Sequence, residues 1–386
     1  MTTLAPALPT RRGARLGASV DLAIRNLTAE RRRWGVSSVA LGIAAMLVLF
    51  IQGTVRWIDD SATAYLLHTP AQLVATQSGV DDLLFSQATV APPLAAAVRA
   101  LPEVQSVTPI MAFNGVLSGR ATPLPLFLVG YQPGGAGGPW HLAEGRAPQQ
   151  AGEVALDRSL AFTNGINLGD TALVLGRRLH VVGISADTNA AGIFFGFVTM
   201  QTAQAIAGTP VYSDLLVTLK PGAASAQVAA SIDNISPSAM HALSVDRMAA
   251  NDRGMVDAGF AQPIEIFLFI CLAVGLLIAA IVLYTATVEH ARDFAVLKAV
   301  GARARVLTGV ATIQSLALSV CGFAIGWVLA IAVTEGFRTF RPVLDAEMGM
   351  DIVAEMFGAV VLVNLLALVL PLRFLRRVDP QEVFKA

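Results

Sequence analysis

Four stretches of this chain carry no charged residue over lengths that an aqueous fold rarely tolerates. Trp34 to Val55 lies between Arg33 and Arg56, and Ile266 to Val288 lies between Glu265 and Glu289. Val306 to Thr334, between Arg305 and Glu335, is the longest, and Met356 to Leu372, between Glu355 and Arg373, is the shortest. About 20 apolar residues in a helix cross the hydrocarbon core of a bilayer. All four stretches therefore read as membrane spans, the fourth lengthened on its outer side by Ile352 to Ala354. Composition agrees: 14% of the 386 residues are charged and mean hydropathy is +0.63, whereas a soluble domain carries about a quarter charged residues. The first stretch is too long and too far from the N-terminus for a cleaved signal, and no small-residue cleavage site follows it.

Basic residues set an orientation. Seven arginines precede the first span (Arg11, Arg12, Arg15, Arg25, Arg31, Arg32, Arg33) against Asp21 and Glu30. The loop after the second span carries Arg292, Lys298, Arg303 and Arg305, and the tail carries Arg373, Arg376, Arg377 and Lys385. Between spans three and four Arg338 and Arg341 face Glu335, Asp345, Glu347, Asp351 and Glu355. All three basic segments fall on one side if both termini are cytoplasmic, which is the parity four spans require. The expected layout is a cytoplasmic N-terminus with an amphipathic interfacial helix (1–33), span one (34–58), an extracytoplasmic domain (59–261), span two (262–286), a cytoplasmic loop (287–304), span three (305–334), an outer loop (335–351), span four (352–375) and a cytoplasmic tail (376–386).

The outer segment is long enough for a core of its own. Ala71 to Thr76, Val104 to Phe113, Leu124 to Tyr131, Ser213 to Leu219 and Ala242 to Val245 read as strands, with helices at Pro92 to Leu101 and Ala223 to Ile232. That order predicts an α+β membrane protein whose outer α/β domain is a split βαβ core, with a small β insertion over about 140–205. Thr171 to Leu175 and Arg178 to Ile184 read as a hairpin turning at Gly176-Arg177. Cys271 and Cys321 both lie inside spans, so no disulfide supports the outer domain. From Asp60 to Phe260 there are nine basic and fourteen acidic residues, which argues against nucleic acid as a ligand.

Catalytic and metal signatures are weak. The glycine-rich run 134–138 is followed by Pro139-Trp140-His141 rather than by a lysine and Ser/Thr, so it reads as a loop and not as a phosphate cradle. His68, His141, His180, His241 and His290 lack a second ligand at helical spacing. Asp157, Ser159 and His180 are the types of a hydrolytic trio without a nucleophile-elbow sequence. The expectation is a chain with no catalytic residue, metal or cofactor.

The segment Thr287-Val-Glu-His-Ala-Arg-Asp-Phe-Ala-Val-Leu-Lys-Ala-Val-Gly-Ala302 is the most informative. It reads as a short helix with Glu289 and Arg292 one turn apart and Gly301 as its C-terminal stop. Six of the seven residues from Phe294 to Val300 are apolar, so a face must be buried, against the membrane or in a partner. Glu289, Asp293, Phe294, Ala295, Val296, Leu297, Lys298, Ala299, Gly301 and Ala302 resemble the coupling helix of the FtsX/MacB-like ABC transporter permeases. His290 stands where that pattern has arginine and Asp293 where it has glutamate. Leu22-Ala-Ile-Arg-Asn-Leu27, Arg376-Arg-Val-Asp-Pro-Gln-Glu-Val383 and the placing of one span before and three after the outer domain are similar too, as is Leu101-Pro-Glu-Val-Gln-Ser-Val-Thr-Pro109. Within the family, Leu49-Phe-Ile-Gln-Gly53 and the large outer region resemble the DevC/HrtB-like exporters.

The resemblance implies a plasma (inner) membrane permease that forms a homodimer on two copies of a separate cytoplasmic ATPase. That partner holds ATP and Mg, and an adaptor is compatible with the layout. Glu289, Arg292, Asp293, Phe294, Leu297, Lys298 and Gly301 would then be the ATPase-coupling residues. Export of amphipathic or hydrophobic molecules, lipoprotein release, and ATP-driven signalling to a cell-wall hydrolase all remain open to such a chain. At the outer boundary, Arg56, Glu265 and Glu355 mark span ends, and Phe267 and Phe269 set an apolar surface beside Glu265. These five are candidates for contact with an amphipathic substrate, or for an Arg56–Glu265 latch.

Overall fold

The structure is a computed structural model that describes residues 31–118, 123–190, 192–289, 304–340, 346 and 348–369. Its elements are α1 (Arg31–Leu67), β1 (Leu73–Gln77), α2 (Pro92–Arg99), β2 (Val104–Ser118), β3 (Leu124–Tyr131), β4 (Leu142–Gly145) and β5 (Glu153–Asp157). There follow α3 (Arg158–Asn164), β6 (Thr171–Val174), β7 (Arg177–Ser185), β8 (Asn189–Ala190), β9 (Ile193–Thr199), α4 (Met200–Ala207), β10 (Asp214–Leu219), α5 (Ser225–Asp233) and β11 (Met240–Ser244). The chain then runs through α6 (Val245–Val256), a π turn (Asp257–Ala261), α7 (Gln262–Glu289), α8 (Ala304–Phe340) and α9 (Met350–Ala367).

Two compact units result. One (Met1–Gly53, Pro263–Glu335 and Ala346–Ala386) is helical over its described residues, and the other (Thr54–Gln262 with Gly336–Asp345) is α/β over its described residues. In the α/β unit the strands lie in the order β11-β1-β10-β2-β3-β9-β5-β7-β4. The βαβ segments β1-α2-β2 and β10-α5-β11 interleave their strands, and each neighbouring pair among those four is antiparallel. Alternation explains why helices cover both faces. Leu73, Ala75, Leu215 and Val217 pack with Val98 of α2 and Val228 and Ile232 of α5, while Val74 and Leu216 pack with Tyr65, Leu66 and Met248 on the other side. The strands of this half are consequently apolar at consecutive positions.

Strand β2 is the seam between the two halves. Val104 to Ile110 pair with β10, and Met111 to Leu117 pair with β3. The second half of the sheet therefore starts at β3, with β9 parallel to β3 and β5 parallel to β7. The β6–β7 hairpin turns one residue earlier than its sequence suggests. Val174 pairs with Arg177, and Leu175 and Gly176 both take positive φ (47° and 79°), as a two-residue hairpin turn between twisted strands requires. Core packing sets this register: it keeps Ala172, Val174 and Leu179 buried together, and a one-residue slip would turn them outward.

The first uncharged stretch belongs to one 37-residue helix that continues past Arg56 to Leu67. Beyond Arg56 there is no glycine or proline, and Ile58, Ala62, Tyr65 and Leu66 keep helical spacing. Among the described residues three helices are long and apolar enough to cross a membrane, Trp34–Leu67, Thr308–Thr339 and Met350–Ala367, with a shorter apolar run Ile266–Ile278 inside α7. In the helical unit Ala45, Val48, Leu49, Phe323, Ile352, Val353 and Met356 form a core joined by Cys271 and Leu272 of α7. Small residues bring α1 and α8 close: a Cβ on Gly326 would stand 2.6 Å from the Gly42 carbonyl oxygen.

A candidate transmission site in the α/β unit

The chain enters the α/β unit along the end of α1 and leaves it through α6 and the π turn. Both passages carry charge at the same place. Asp60 of α1 lies 3.4 Å from Arg56 Nε through Oδ2 and 3.9 Å from Arg253 Nη2 of α6 through Oδ1. Asp60 thus bridges a helical-pair partner on its own helix and a guanidinium on the other. The neighbouring Asp59 carboxyl is pushed above the ordinary carboxylate value by burial and then by the charge of Asp257 in the π turn, with Arg253 pulling the other way. The π turn itself inserts extra backbone between α6 and α7, a distortion that recurs at functional positions in helices.

Further along, α1 is anchored by aromatic packing. Tyr65 stacks on Phe195 at 5.5 Å and meets the edge of Trp140 at 5.9 Å, while His68 stacks on Trp140 at 5.5 Å. The Tyr65 hydroxyl donates to the Gly137 carbonyl at 3.2 Å. The glycine-rich run is therefore a wrap closed onto the end of α1. Gly137 has φ +92°, and a Cβ there would meet Ile110 Cγ2 at 2.8 Å. Glycine permits both the backbone angle and the close approach.

A cleft of about 240 Å³ opens where β2 passes between the two halves of the sheet, lined among others by Gln87, Thr89, Phe113 and Tyr212. Ser213 pins this seam: its Oγ accepts from the Ala112 amide at 2.9 Å and donates to the Ile110 carbonyl at 3.2 Å. The same unit buries the carboxyls of Asp214 and Asp252. Burial pushes Asp214 up to about 6 against the hydrogen bonds of Thr76 and Ser213, and pushes Asp252 up to about 7 against the amides of Leu83 and Leu84.

The residues singled out by sequence are distributed as follows. Glu289 ends α7, and Arg292, Asp293, Phe294, Leu297, Lys298 and Gly301 lie outside the described residues. Arg56 is exposed and pairs with Asp60 of its own helix. Glu265 falls in α7, but its side chain is outside the described set, so the suggested Arg56–Glu265 latch is not among the described contacts. Phe267 and Phe269 are 62% and 73% exposed on α7, and Glu355 is exposed on α9. Asp60, Arg253 and Asp257 were missed. The i,i+4 spacing of Arg56 and Asp60 was a visible signal, whereas the pairing across to α6 left none. Asp157 and Ser159 serve α3: the Asp157 carboxylate accepts from the Ser159 amide as its N-cap and also from Thr188.

Two family descriptions fit this chain. The MacB-like periplasmic core domain matches residues 36–235, and the FtsX-like permease C-terminal region matches residues 265–380. The first alone spans more than half of the sequence. The chain belongs to the FtsX/MacB-like permease family. An uncharacterized ABC transporter permease of Mycobacterium tuberculosis (strain ATCC 25618 / H37Rv) is similar to this permease at 25% identity over 367 residues, 94% of this chain and 98% of that one. A second permease so named from the same organism is 26% identical over 375 residues, with the same 94% and 98% coverage. Family and relatives agree that this permease is the membrane subunit of a transporter. The crystal structure of the periplasmic region of MacB from Actinobacillus actinomycetemcomitans matches 48% of this chain and 94% of that one, at 15% identity and a TM-score of 0.36.

Proposed function

We propose that this permease is driven by a separate cytoplasmic ATPase, present as two copies under a permease homodimer, and exports amphipathic or hydrophobic molecules. In this reading four spans hold both termini in the cytoplasm, and the α/β unit lies outside the plasma (inner) membrane. The loop 287–304 receives the stroke of the ATPase. The α1 helix and the α6–α7 passage carry it to the α/β unit, with Asp60 and Arg253 keeping the two passages in step. The observation that carries this reading is the continuity of α1, one helix from Arg31 to Leu67, whose last turns are buried in the sheet's core through Tyr65 and Leu66. A break at the membrane boundary would let the spans move without the domain.

Phe294 and Leu297 are the anchors in the ATPase. Burying two such side chains stabilises a contact by about 3–6 kcal/mol, and a carboxylate in their place would be desolvated without a partner. Phe294→Asp or Leu297→Asp is expected to abolish co-purification of the ATPase that accompanies the wild-type permease, with the permease still in the membrane fraction. Wild-type complex yield from both variants would overturn the docking role.

A further inference from the structure

We propose that Asp214 and Asp252, beside a segment shaped by Asp82, form a proton-operated clasp that seats residues 78–91 against α6, so that acidity around the α/β unit sets how firmly the passage out of α6 is held. The seat is specific. Leu83 and Leu84 are buried in the same core as Val245, Met248 and Ala249 of α6. Their amides donate to one oxygen of Asp252, Leu83 N at 2.9 Å and Leu84 N at 3.2 Å from Oδ1. Its other oxygen, Oδ2, is buried without a partner. One residue before the leucines, Asp82 shapes the same segment, accepting from Phe85 N at 2.9 Å, Ser86 N at 2.7 Å and Ser86 Oγ at 2.6 Å. Asp214, at the start of β10, is also buried and has Oδ1 without a partner.

The charges facing this cluster are of one sign. Asp252 is acted on by Asp82 and Asp214, and Asp214 by Asp82. The remaining titratable groups packed around it are engaged elsewhere or neutral: His241 of β11 pairs with Asp81, Arg253 of α6 with Asp60, Arg247 is exposed, and Tyr65 of α1 faces Asp214. Buried carboxylates that see other carboxylates and no cation favour the protonated form. Both Asp214 and Asp252 are accordingly held above the ordinary carboxylate value, at about 6 and about 7. The linkage follows from that direction. The seated state takes up protons that the open state does not hold, so the seat is firmest in acid and loosens as pH rises through the values of Asp214 and Asp252. Protonation also turns an unpartnered buried oxygen of Asp252 into a donor. The segment continues into Gln87 and Thr89, which line the cleft at the β2 seam. Loosening therefore reaches the cleft wall as well as α6.

The full chain in lipid nanodiscs tests this by hydrogen–deuterium exchange between about pH 5.5 and about pH 8, corrected for intrinsic exchange. Amides of 78–91 are expected to lose about tenfold in protection across that range. Asp252→Asn should flatten the dependence. Asp214→Asn, which removes a charge that raises Asp252, should move its midpoint to lower pH. Unchanged wild-type protection would overturn the clasp, as would full pH dependence in Asp252→Asn. Should Asp252→Asn fail to fold, an unmoved midpoint in Asp214→Asn would overturn it equally.

Discussion

Glu153 titrates in the opposite sense to the buried aspartates. The Arg146 guanidinium forks onto its carboxylate, Nη1 lying 2.9 Å from Oε2 and Nη2 on Oε1, while the amides of Gln149 and Gln150 donate to Oε2 at 2.8 and 3.0 Å. Chiefly through the Arg146 hydrogen bond, the carboxyl is held down at about 2. A depressed value means stabilisation that is fully present above the ordinary carboxylate range and is lost as pH falls toward about 2. Glu153→Gln is expected to lower the melting temperature of the purified permease by about 2–4 °C near neutral pH. The gap to wild type should close on acidification, and a gap that persists unchanged near pH 2 would show that packing rather than charge is at stake. Single residues were legible in the sequence where their partner is local. Asp157 two positions before Ser159 carries an N-cap signal that a search for catalytic trios passes over. Asp252 gives no such hint, because the amide it receives from Leu83 lies 169 positions away.

The elements were readable wherever a hydrophobic period met a breaker. Pro92 opens α2 and Leu124 to Tyr131 is β3 as the pattern indicates, whereas β5, β9, α4 and α6 escaped. Glu153 to Asp157 is short and buried on both faces, which leaves no alternation to read. Gly196 weakens the strand pattern of β9, and α6 carries Asp246, Arg247, Asn251, Asp252 and Arg253 among its 12 residues, with its buried face confined to Val245, Met248, Ala249, Asp252 and Val256. The α1–α8 contact was also missed, since Gly322 and Gly326 are spaced for helix packing inside a stretch valued only for its lack of charge. Here the two glycines make different demands. A Cβ on Gly326 would meet the Gly42 carbonyl oxygen at 2.6 Å and Ala45 Cβ at 2.7 Å, whereas one on Gly322 would meet the Leu41 side chain, Cδ2 nearest at 2.8 Å. A side chain can turn aside and a backbone cannot. Gly326→Ala should therefore destabilise the helical unit by about 1–3 kcal/mol, and Gly322→Ala by clearly less. Thermal unfolding in one detergent ranks them, and the reverse order would contradict the packing described.

At the scale of the whole molecule the decisive quantity is which side of the bilayer each unit faces. Basic residues flanking the uncharged stretches give an expected sidedness that labelling can test, whereas the join between α1 and the sheet was missed because Arg56 reads as the end of a span, although Ile58, Ala62, Tyr65 and Leu66 keep helical spacing beyond it. With Cys271 and Cys321 replaced by alanine, single cysteines at Gly135, Ala302 and Lys385 report the arrangement. An impermeant maleimide is expected to label position 135 in intact cells, and positions 302 and 385 only after lysis; protection of position 135 would overturn four spans with both ends inside. The unbroken α1 has one more consequence. Its 37 residues form a rod of about 55 Å with no proline in it and no glycine beyond Gly53. On the proposed reading such a helix would serve as a lever, since a tilt of about 5° over that length corresponds to about 5 Å at its end, more than the width of a methyl group. If the chain exports as proposed, a substrate-scale displacement would require only a small angular change among the spans, which closely packed helices can make without parting.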